Sequence, residues 1–532
     1  MNEEIAEYYE ELYRLYIDEN QPLERRYRQL RESLERVVRE RIQGNSLQTT
    51  DLAARINYVA TQYGLDIKEQ NQLHTFRLTS NDILNHRKFP AKEEFLRDLR
   101  AVAFAYRKMF AQDIPLKLFS VLPKQEITSL GKKEKKEYIR RIRVCFDYAD
   151  DTYLYVHPVD IIADEPIRVV YNKPGINHEF EETIKELWRY AQLNLLDVFV
   201  DREGIYTPSF IVLEPDYLID ISSLAECYKD YGSHPANYFL SRLVPIDNAR
   251  PLLLGNIANL FLDEWIHAGE EEPDYIDCMK KAFRQYPIEL AACAELRDPS
   301  KEKEFAKDCR MHFEHIRDIV QHTFLEPGYN LDKKDAVLEP SYICEALGIQ
   351  GRLDYMQRDM SSFIEMKSGK ADEFSIQGKV EPKENNKVQM LLYMAVLEYS
   401  MGQDRRRMHP YLLYTRYPLL YPARASWAQV RRVINLRNRI VAAEYGVQFH
   451  NHSDFTRNLL AQINPEVMNE RKLRGKFWEQ YLKPSISRFR EKLSALEPLE
   501  QAYFYTLYNF ITKELYTSKS GDVDYEGRAG AS

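Results

Sequence analysis

Apolar residues recur three or four apart through the first 119 positions, in stretches such as LERRYRQLRESLERVVRERI with long charged faces. This period predicts a bundle of amphipathic helices. From residue 120 to 218 the period shortens towards two, in RIRVCFDYA, TYLYVHPVDII, IRVVYN and SFIVLEPDYLID. That alternation predicts a β-rich module, with one helix expected over 181–196. A third region, 219–446, opens with SSLAECYKDYGSHPANYFLSRLVP and GNIANLFLDEWIH and stays helical and charged to about residue 324, which suggests a helical insertion over about 256–330. Strand signals return in VLEPSYICEALGIQGRLDYM, followed by the helix NNKVQMLLYMAVLEYS, the strand HPYLLYTRYP and the helix WAQVRRVINLRNRIVAAEY. Residues 447–532 read as helical up to SGDVDYEGRAGAS, a polar tail or a point of truncation. The expected fold class is therefore multidomain α/β.

One hairpin breaks the pattern. GRLDYMQRDMSSFIEMKSGKA reads as two short strands and a turn, yet it carries Asp354, Glu365 and Lys367 where packing residues are expected. A tight turn at Asp359 and Met360 pairs the strands so that Asp354 lies opposite Glu365. Side chains alternate along a strand, so Phe363, Glu365 and Lys367 share one face while Ile364 and Met366 share the other. Two acids and a lysine then converge on one spot. Taken alone, the same pattern also describes a solvated hairpin face with an ordinary ion pair.

The neighbouring elements add polar residues in an ordered way. Gln389 and Tyr393, four apart, fall on one helix face with Asn386 a turn earlier, and Glu339 is expected in a strand leading to Gly351. Upstream, Gly255, Asn259 and Asp263 share another helix face.

Composition narrows the classes of function. At 532 residues and 44% hydrophobic content the chain is long enough for two to four domains. A formal charge of -8 argues against a generally basic nucleic-acid coat, so a polyanion would need a local groove or a bound metal. The six cysteines contain no CxxC pair, which reads as a reducing compartment with no zinc site. The acidic, amphipathic N-terminus and the lack of a long apolar run lead to the expectation of a cytoplasmic, soluble protein with no membrane partner. No GxxxxGK[ST] phosphate loop is present.

The motifs Gly351-x-x-Asp354, Glu365-Met366-Lys367 and Gln389-x-x-x-Tyr393, preceded by Glu339 and GNIANLFLDEWIH, resemble the RecB-like branch of the PD-(D/E)xK nucleases. The likeness is greatest to the nuclease domain of replication and repair nuclease-helicases and of CRISPR-associated exonucleases, and covers about 219–445. It implies a restriction-endonuclease-like mixed-sheet core and a metal-dependent deoxyribonuclease acting on single-stranded DNA or DNA ends. It also implies a helicase on a partner chain or on a continuation beyond Ser532. Hard oxygen ligands suit Mg²⁺ or Mn²⁺, so Asp354, Glu365 and the Met366 carbonyl are the expected metal ligands. Lys367 is the expected stabiliser of negative charge or orienter of water. By resemblance Gln389 and Tyr393 steady the site.

Asn259 stands where that family has a histidine ligand, with Asp263 one turn on as a possible aid. Cys344 is the last cysteine, so the iron-sulphur cluster of some relatives is not expected. From Met401 to Ile440 nine arginines face one acid, Asp404. Of these, Arg405, Arg406, Arg407, Arg424, Arg431, Arg432 and Arg437 are the candidate DNA contacts, part of the set being left as solvated face. Two rival readings stay open: a DNA-binding scaffold with an impaired site, and an interaction subunit of a helicase-nuclease complex.

Overall fold

The computed structural model describes residues 3–42, 52–124, 138–161, 163, 165–244, 250–374, 379–424, 426–450 and 453–520. The chain divides into two compact units, one of Met1–Pro215, Val441–His452 and Phe510–Ser532, the other of Asp216–Ile440 and Ser453–Asn509. The architecture is mixed α/β. The helical and β-rich segments at the N-terminus thus belong to one unit, while the C-terminal segment is shared between both. The expected polar tail lies, from residue 521 on, outside the described residues. No described helix is long and apolar enough to cross a membrane.

In the first unit, helices α1 (Glu3–Ile17), α2 (Leu23–Ile42), α3 (Leu52–Tyr63), α4 (Ile67–Leu84), α5 (Lys92–Phe110) and the short α6 (Leu116–Phe119) form the bundle. The stripe Tyr27, Leu30, Leu34, Val37 and Val38 of α2 is wholly buried, as its spacing requires. Asp66 caps α4 by accepting the Glu69 N–H at 2.8 Å, and the Glu69 carboxylate accepts the Asp66 N–H at 2.9 Å. These reciprocal bonds satisfy two donors that a helix start leaves unpaired.

The β-rich segment folds as β1 (Tyr138–Ala149), β2 (Tyr153–Pro158), β3 (Ile167–Val170), α7 (Glu181–Lys185), β4 (Gln192–Val200), β5 (Tyr206–Thr207) and β6 (Phe210–Leu213). β1 pairs with both β2 and β4, so the order β1-β2-β3-β5-β4 closes on itself. β3 and β5 are parallel; the neighbouring pairs around the ring are antiparallel. β5 and β6 continue one strand, since Phe199↔Thr207 and Leu196↔Phe210 belong to a single register against β4, broken at Pro208. The helix expected over 181–196 is corrected: α7 ends at Lys185, and 192–196 lie in β4. Buried leucines in QLNLLDVFV fit either element by composition, and pairing with β1 decides for strand.

The second unit contains β7 (Ile219–Asp220), α8 (Ile221–Ala225), α9 (Ala236–Leu243), α10 (Arg250–His267), α11 (Tyr275–Gln285), α12 (Pro287–Ala292) and α13 (Pro299–Gln321). Then come β8 (Ala336–Leu338), β9 (Ser341–Cys344), β10 (Ile349–Arg352), β11 (Tyr355–Gln357), β12 (Ser362–Lys367), β13 (Asp372–Phe374), β14 (Lys379–Glu381), α14 (Glu384–Met401), β15 (His409–Tyr414) and β16 (Leu419–Pro422). Helices α15 (Trp427–Phe449), α16 (Ser453–Ala461), α17 (Pro465–Met468), α18 (Lys483–Ser494) and α19 (Pro498–Ser520) complete the chain.

A five-stranded mixed sheet, ordered β16-β15-β12-β11-β8, has β12 at its centre, parallel to β15 and antiparallel to β11. Ile364 and Met366 of β12 join the apolar cluster formed with α10 and α13. Alternation turns Glu365 and Lys367 to the opposite face, where α14 supplies their partners.

Candidate active site

The β11–β12 hairpin pairs Tyr355 with Ile364 and Met356 with Phe363. That register, continued one step, sets Asp354 across from Glu365. Met360 takes a left-handed backbone at the turn, with φ 60°. Asp354 sits in the break between β10 and β11, where its Oδ2 accepts the Met366 N–H at 2.6 Å. The Glu365 side chain is nearly sealed from solvent, at 5% exposure. Its Oε1 accepts from Lys367 Nζ at 2.8 Å and from Gln389 Nε2 at 2.7 Å. Lys367 Nζ also donates to Gln389 Oε1 at 2.8 Å, closing a three-membered ring of bonds.

Glu365 Oε2, by contrast, is buried with no hydrogen-bond partner among the described residues. Leaving a buried acceptor unpaired costs about 1–3 kcal/mol, more when charged. Burial and the neighbouring Asp354 push the Glu365 carboxyl up to about 8, against the pull of Lys367. Asp354 is likewise raised, by burial first. Burial works against the Lys367 charge, but Glu365 and Asp354 outweigh it and hold the ammonium above its ordinary value.

The glutamine-tyrosine helix acts on the backbone as well as on the site. The Tyr393 hydroxyl donates to the Arg352 carbonyl at the end of β10. A Cβ at Gly351 would stand 3.1 Å from both that hydroxyl and Ile221 Cδ1, so the residue must be small. Asn386 bonds the Tyr414 hydroxyl, tying α14 to β15.

Glu339 is corrected from a strand to the turn between β8 and β9, where it adopts φ 49°. Its N–H donates to the Asp354 carbonyl at 3.0 Å and its carboxylate pairs with Arg352 at 3.1 Å. On α10, Asp263 is pushed up to about 6, by burial and then by Glu339, with Asp354 a further contributor. Asn259 lies one turn before it, half-buried. Gly255, a turn earlier again, passes close enough to Ser368 that a Cβ would come 3.3 Å from its Oγ.

Among the described residues no three His, Cys, Asp or Glu side chains form a metal-holding group. A hard cation here would therefore draw on Asp354, the orphaned Glu365 Oε2 and neutral oxygens such as the Met366 carbonyl, with the Asn259 amide expected from the sequence as a further donor. The unpaired acceptor and two carboxyls raised by burial suit such an ion, since a cation relieves both.

The arginines separate into different roles. Arg437 is corrected from a DNA contact to a core residue: it is wholly buried and donates to the Gly348 carbonyl at 3.1 Å and to the Tyr217 carbonyl. Arg405 lies over the Trp427 ring and 3.6 Å from Glu398. Arg405, Arg406 and Arg407 follow the C-terminus of α14, ~18 Å along the helix from Gln389 at 1.5 Å per residue. Arg424 follows β16, whose Pro422 pairs with Tyr411, towards the end of the sheet away from Lys367. Arg431 and Arg432 lie on α15, and Arg432 interacts electrostatically with Tyr228.

Sequence spacing missed Ser222 and Glu226. Ser222 Oγ accepts from Gln389 Nε2 at 3.4 Å, and Glu226 bonds Asn385 at 3.0 Å and bears on the Lys367 charge. Both come from SSLAECYKD, far upstream, where no local motif marks them. No protein-family model matches the sequence, and no curated protein matches it significantly.

Proposed function

We propose that the second unit is a metal-dependent deoxyribonuclease of the PD-(D/E)xK type, with a RecB-like core, hydrolysing phosphodiester bonds in single-stranded DNA or at DNA ends. Repair, recombination or defence, beside a helicase on another chain or a continuation, is the setting this reading favours. The observation that carries it is the unpartnered Glu365 Oε2 beside Asp354, with Lys367 fixed at the same point. The order of elements agrees: a hairpin with the acids, a helix with Gln389 and Tyr393, then a strand parallel to β12.

Mg²⁺ or Mn²⁺, when bound, would polarise the phosphate and lower the pKa of a water. The chain's own part is to hold charges in place. Asp354 and Glu365 would supply anionic oxygens to such a cation, which would relieve the burial that raises both carboxyls. Lys367 has three donors, of which, among the described residues, Glu365 and Gln389 occupy two, so a third can serve a phosphate oxygen or the attacking water. Gln389 fixes Glu365 and Lys367 together, and Tyr393 anchors the end of β10 from which Asp354 projects.

A DNA-binding scaffold is the second reading, favoured by the lack of a third acidic or histidine ligand among the described residues. Purified protein with Mg²⁺ or Mn²⁺ and end-labelled single- and double-stranded DNA and RNA decides between them. Metal-dependent cleavage lost in Asp354→Ala supports the nuclease; binding without cleavage supports the scaffold.

A further inference from the structure

The closed barrel of the first unit has an outer face that packing does not explain. Its five-stranded ring, with parallel β3 and β5 and with α7 between β3 and β4, has the Greek-key form whose second and third strands bind oligonucleotides in other proteins. Fold alone does not assign a ligand, so the residues on that face must.

Register places Tyr148 opposite Tyr155, Tyr155 opposite Arg168, and Tyr153 opposite Val170, all on one side of β1, β2 and β3. The Tyr148 and Tyr155 rings stack at 4.3 Å with 12° between planes. Tyr153 meets Tyr155 edge-on at 6.5 Å, and the Arg168 guanidinium lies over Tyr153 at 5.7 Å. Tyr148 is 50% exposed and Arg168 is exposed. The exposed Tyr148 ring, backed by the half-buried Tyr155, presents a flat π surface of the kind on which bases stack.

Two acids near this face, Asp147 and Asp150, are held by neighbouring groups. Asp150 accepts from the Thr152 and Tyr153 N–H groups and from the Tyr155 hydroxyl, each at 2.8–2.9 Å. Asp147 pairs with Arg189 at 2.8 Å and lies 3.5 Å from His157. Arg168 has no carboxylate partner among the described residues, so its fork is available to a phosphate. The Asp150–Tyr155 bond and a Tyr171 hydroxyl bond to the Asp150 carbonyl at 2.8 Å fix the loop and rings in advance.

We propose that this face binds single-stranded nucleic acid, with bases stacked on Tyr148 and Tyr155 and a backbone phosphate on Arg168. The site is independent of the nuclease reading and would bind with catalysis blocked. Duplexes, whose bases are already stacked inside, are poor ligands for it.

The test uses the full chain in EDTA and fluorescence anisotropy of labelled oligothymidylate and oligouridylate of about fifteen nucleotides, within the span of one barrel site. An abasic oligomer of equal length and charge is the control. Tyr148→Ala should weaken binding of the base-bearing strand about five- to a hundredfold and leave the abasic strand unaffected. Tyr155→Ala, which removes the ring, should weaken the base-bearing strand more than Tyr155→Phe, which keeps the ring and loses only the bond to Asp150. Arg168→Ala should lower the log-log salt slope by about 0.7. Tighter binding of either oligomer, DNA or RNA, supports the site and names its preference. Equal affinity of wild type and Tyr148→Ala for the base-bearing strand, with both folded by circular dichroism, overturns it. So does equal weakening towards base-bearing and abasic strands.

Discussion

Two buried carboxylates, one in each unit, have similar surroundings and different outcomes. Asp98 in the bundle is 1% exposed and Glu365 in the sheet 3% exposed, and each has a cation close by in sequence, Arg97 and Lys367. Both are pushed up by burial, Asp98 to about 6 and Glu365 to about 8. The difference lies in the oxygens. Asp98 Oδ1 accepts from Arg97 at 2.9 Å and Oδ2 from the Tyr27 hydroxyl at 3.0 Å, so the group is satisfied within the fold. Glu365 has both donors on Oε1 and, among the described residues, none on Oε2, and a second acid, Asp354, faces it. A satisfied buried carboxylate ties structure together; one left half-paired beside a like charge is poised for a ligand that the chain does not supply.

The sharpest way to break this contrast is substitution by the isosteric amide. Glu365→Gln fixes the neutral form that burial and Asp354 favour, so in EDTA the protein should melt at the wild-type temperature or higher. Its metal-dependent cleavage should fall on the order of a hundred- to a thousandfold, the cost typical of losing a positioned charge at a reacting centre. Asp98→Asn should do the reverse, lowering stability by about 1–3 kcal/mol by disturbing a satisfied buried group while cleavage per folded molecule is unchanged. Thermal melts and single-turnover rates of both variants test this. A marked loss of stability in Glu365→Gln would return that residue to the structural class.

The pH dependence of stability separates the two groups further. Both carboxyls are raised in the folded state, so each contributes stability at low pH that is lost as pH rises. For Asp98 the window runs from 3.8 to about 6; for Glu365 it runs from 4.5 to about 8. In EDTA, wild type should therefore lose stability relative to Glu365→Gln between pH 4.5 and 8 and hold a constant difference above that. Mg²⁺ should stabilise wild type more at about pH 8 than at about pH 6, because the proton that competes with it has left. Denaturant melts across pH, with and without Mg²⁺, show whether the windows differ.

How legible all this was in the chain depends on the range of the interaction. The hairpin could be read because alternation and a short turn are local, and the register that pairs Tyr355 with Ile364 is the one that brings Asp354 to Glu365. The Gln389–Tyr393 face could be read for the same reason. Arg437 could not. In LRNRIVAAEY it looks like any arginine of a basic helix, and what buries it is Gly348, 89 residues earlier, at φ +65°. A Cβ there would strike the guanidinium, so a bare Cα makes the space. The leucines of β4 misled in a similar way, since only pairing with β1 distinguishes them from a helix. Ser222 and Glu226 reach the site by folding alone.

That distinction sets a smaller prediction about the arginines. Arg406→Glu with Arg407→Glu should weaken DNA binding and lower the log-log salt slope by about one unit for each phosphate that is no longer neutralised. Arg437→Ala should leave the slope unchanged and lower the melting temperature, because it strands the Gly348 and Tyr217 carbonyls. A change of slope in Arg437→Ala would place that residue back on the surface.

The smallest effect concerns the metal's choice. An amide oxygen at Asn259 is a harder, weaker donor than the imidazole expected there in the proposed family, so the site should lean towards Mg²⁺, whereas imidazole helps Mn²⁺ compete. Asp263, one turn on, feels both Glu339 and Asp354, and burial with those charges holds it at about 6. It is thus placed to feel a cation held beside Asp354. Asn259→His should raise the ratio of Mn²⁺- to Mg²⁺-supported cleavage by a few-fold, since one neutral ligand changes while the acids stay. Asp263→Ala should harm wild type more than it harms Asn259→His, because a direct nitrogen ligand makes the acid's longer-range help redundant. Titrating both metals against the four proteins separates the outcomes. An unchanged ratio, with independent effects of the two substitutions, would mean that Asn259 does not reach the ion and that α10 serves the site only through the field of Asp263.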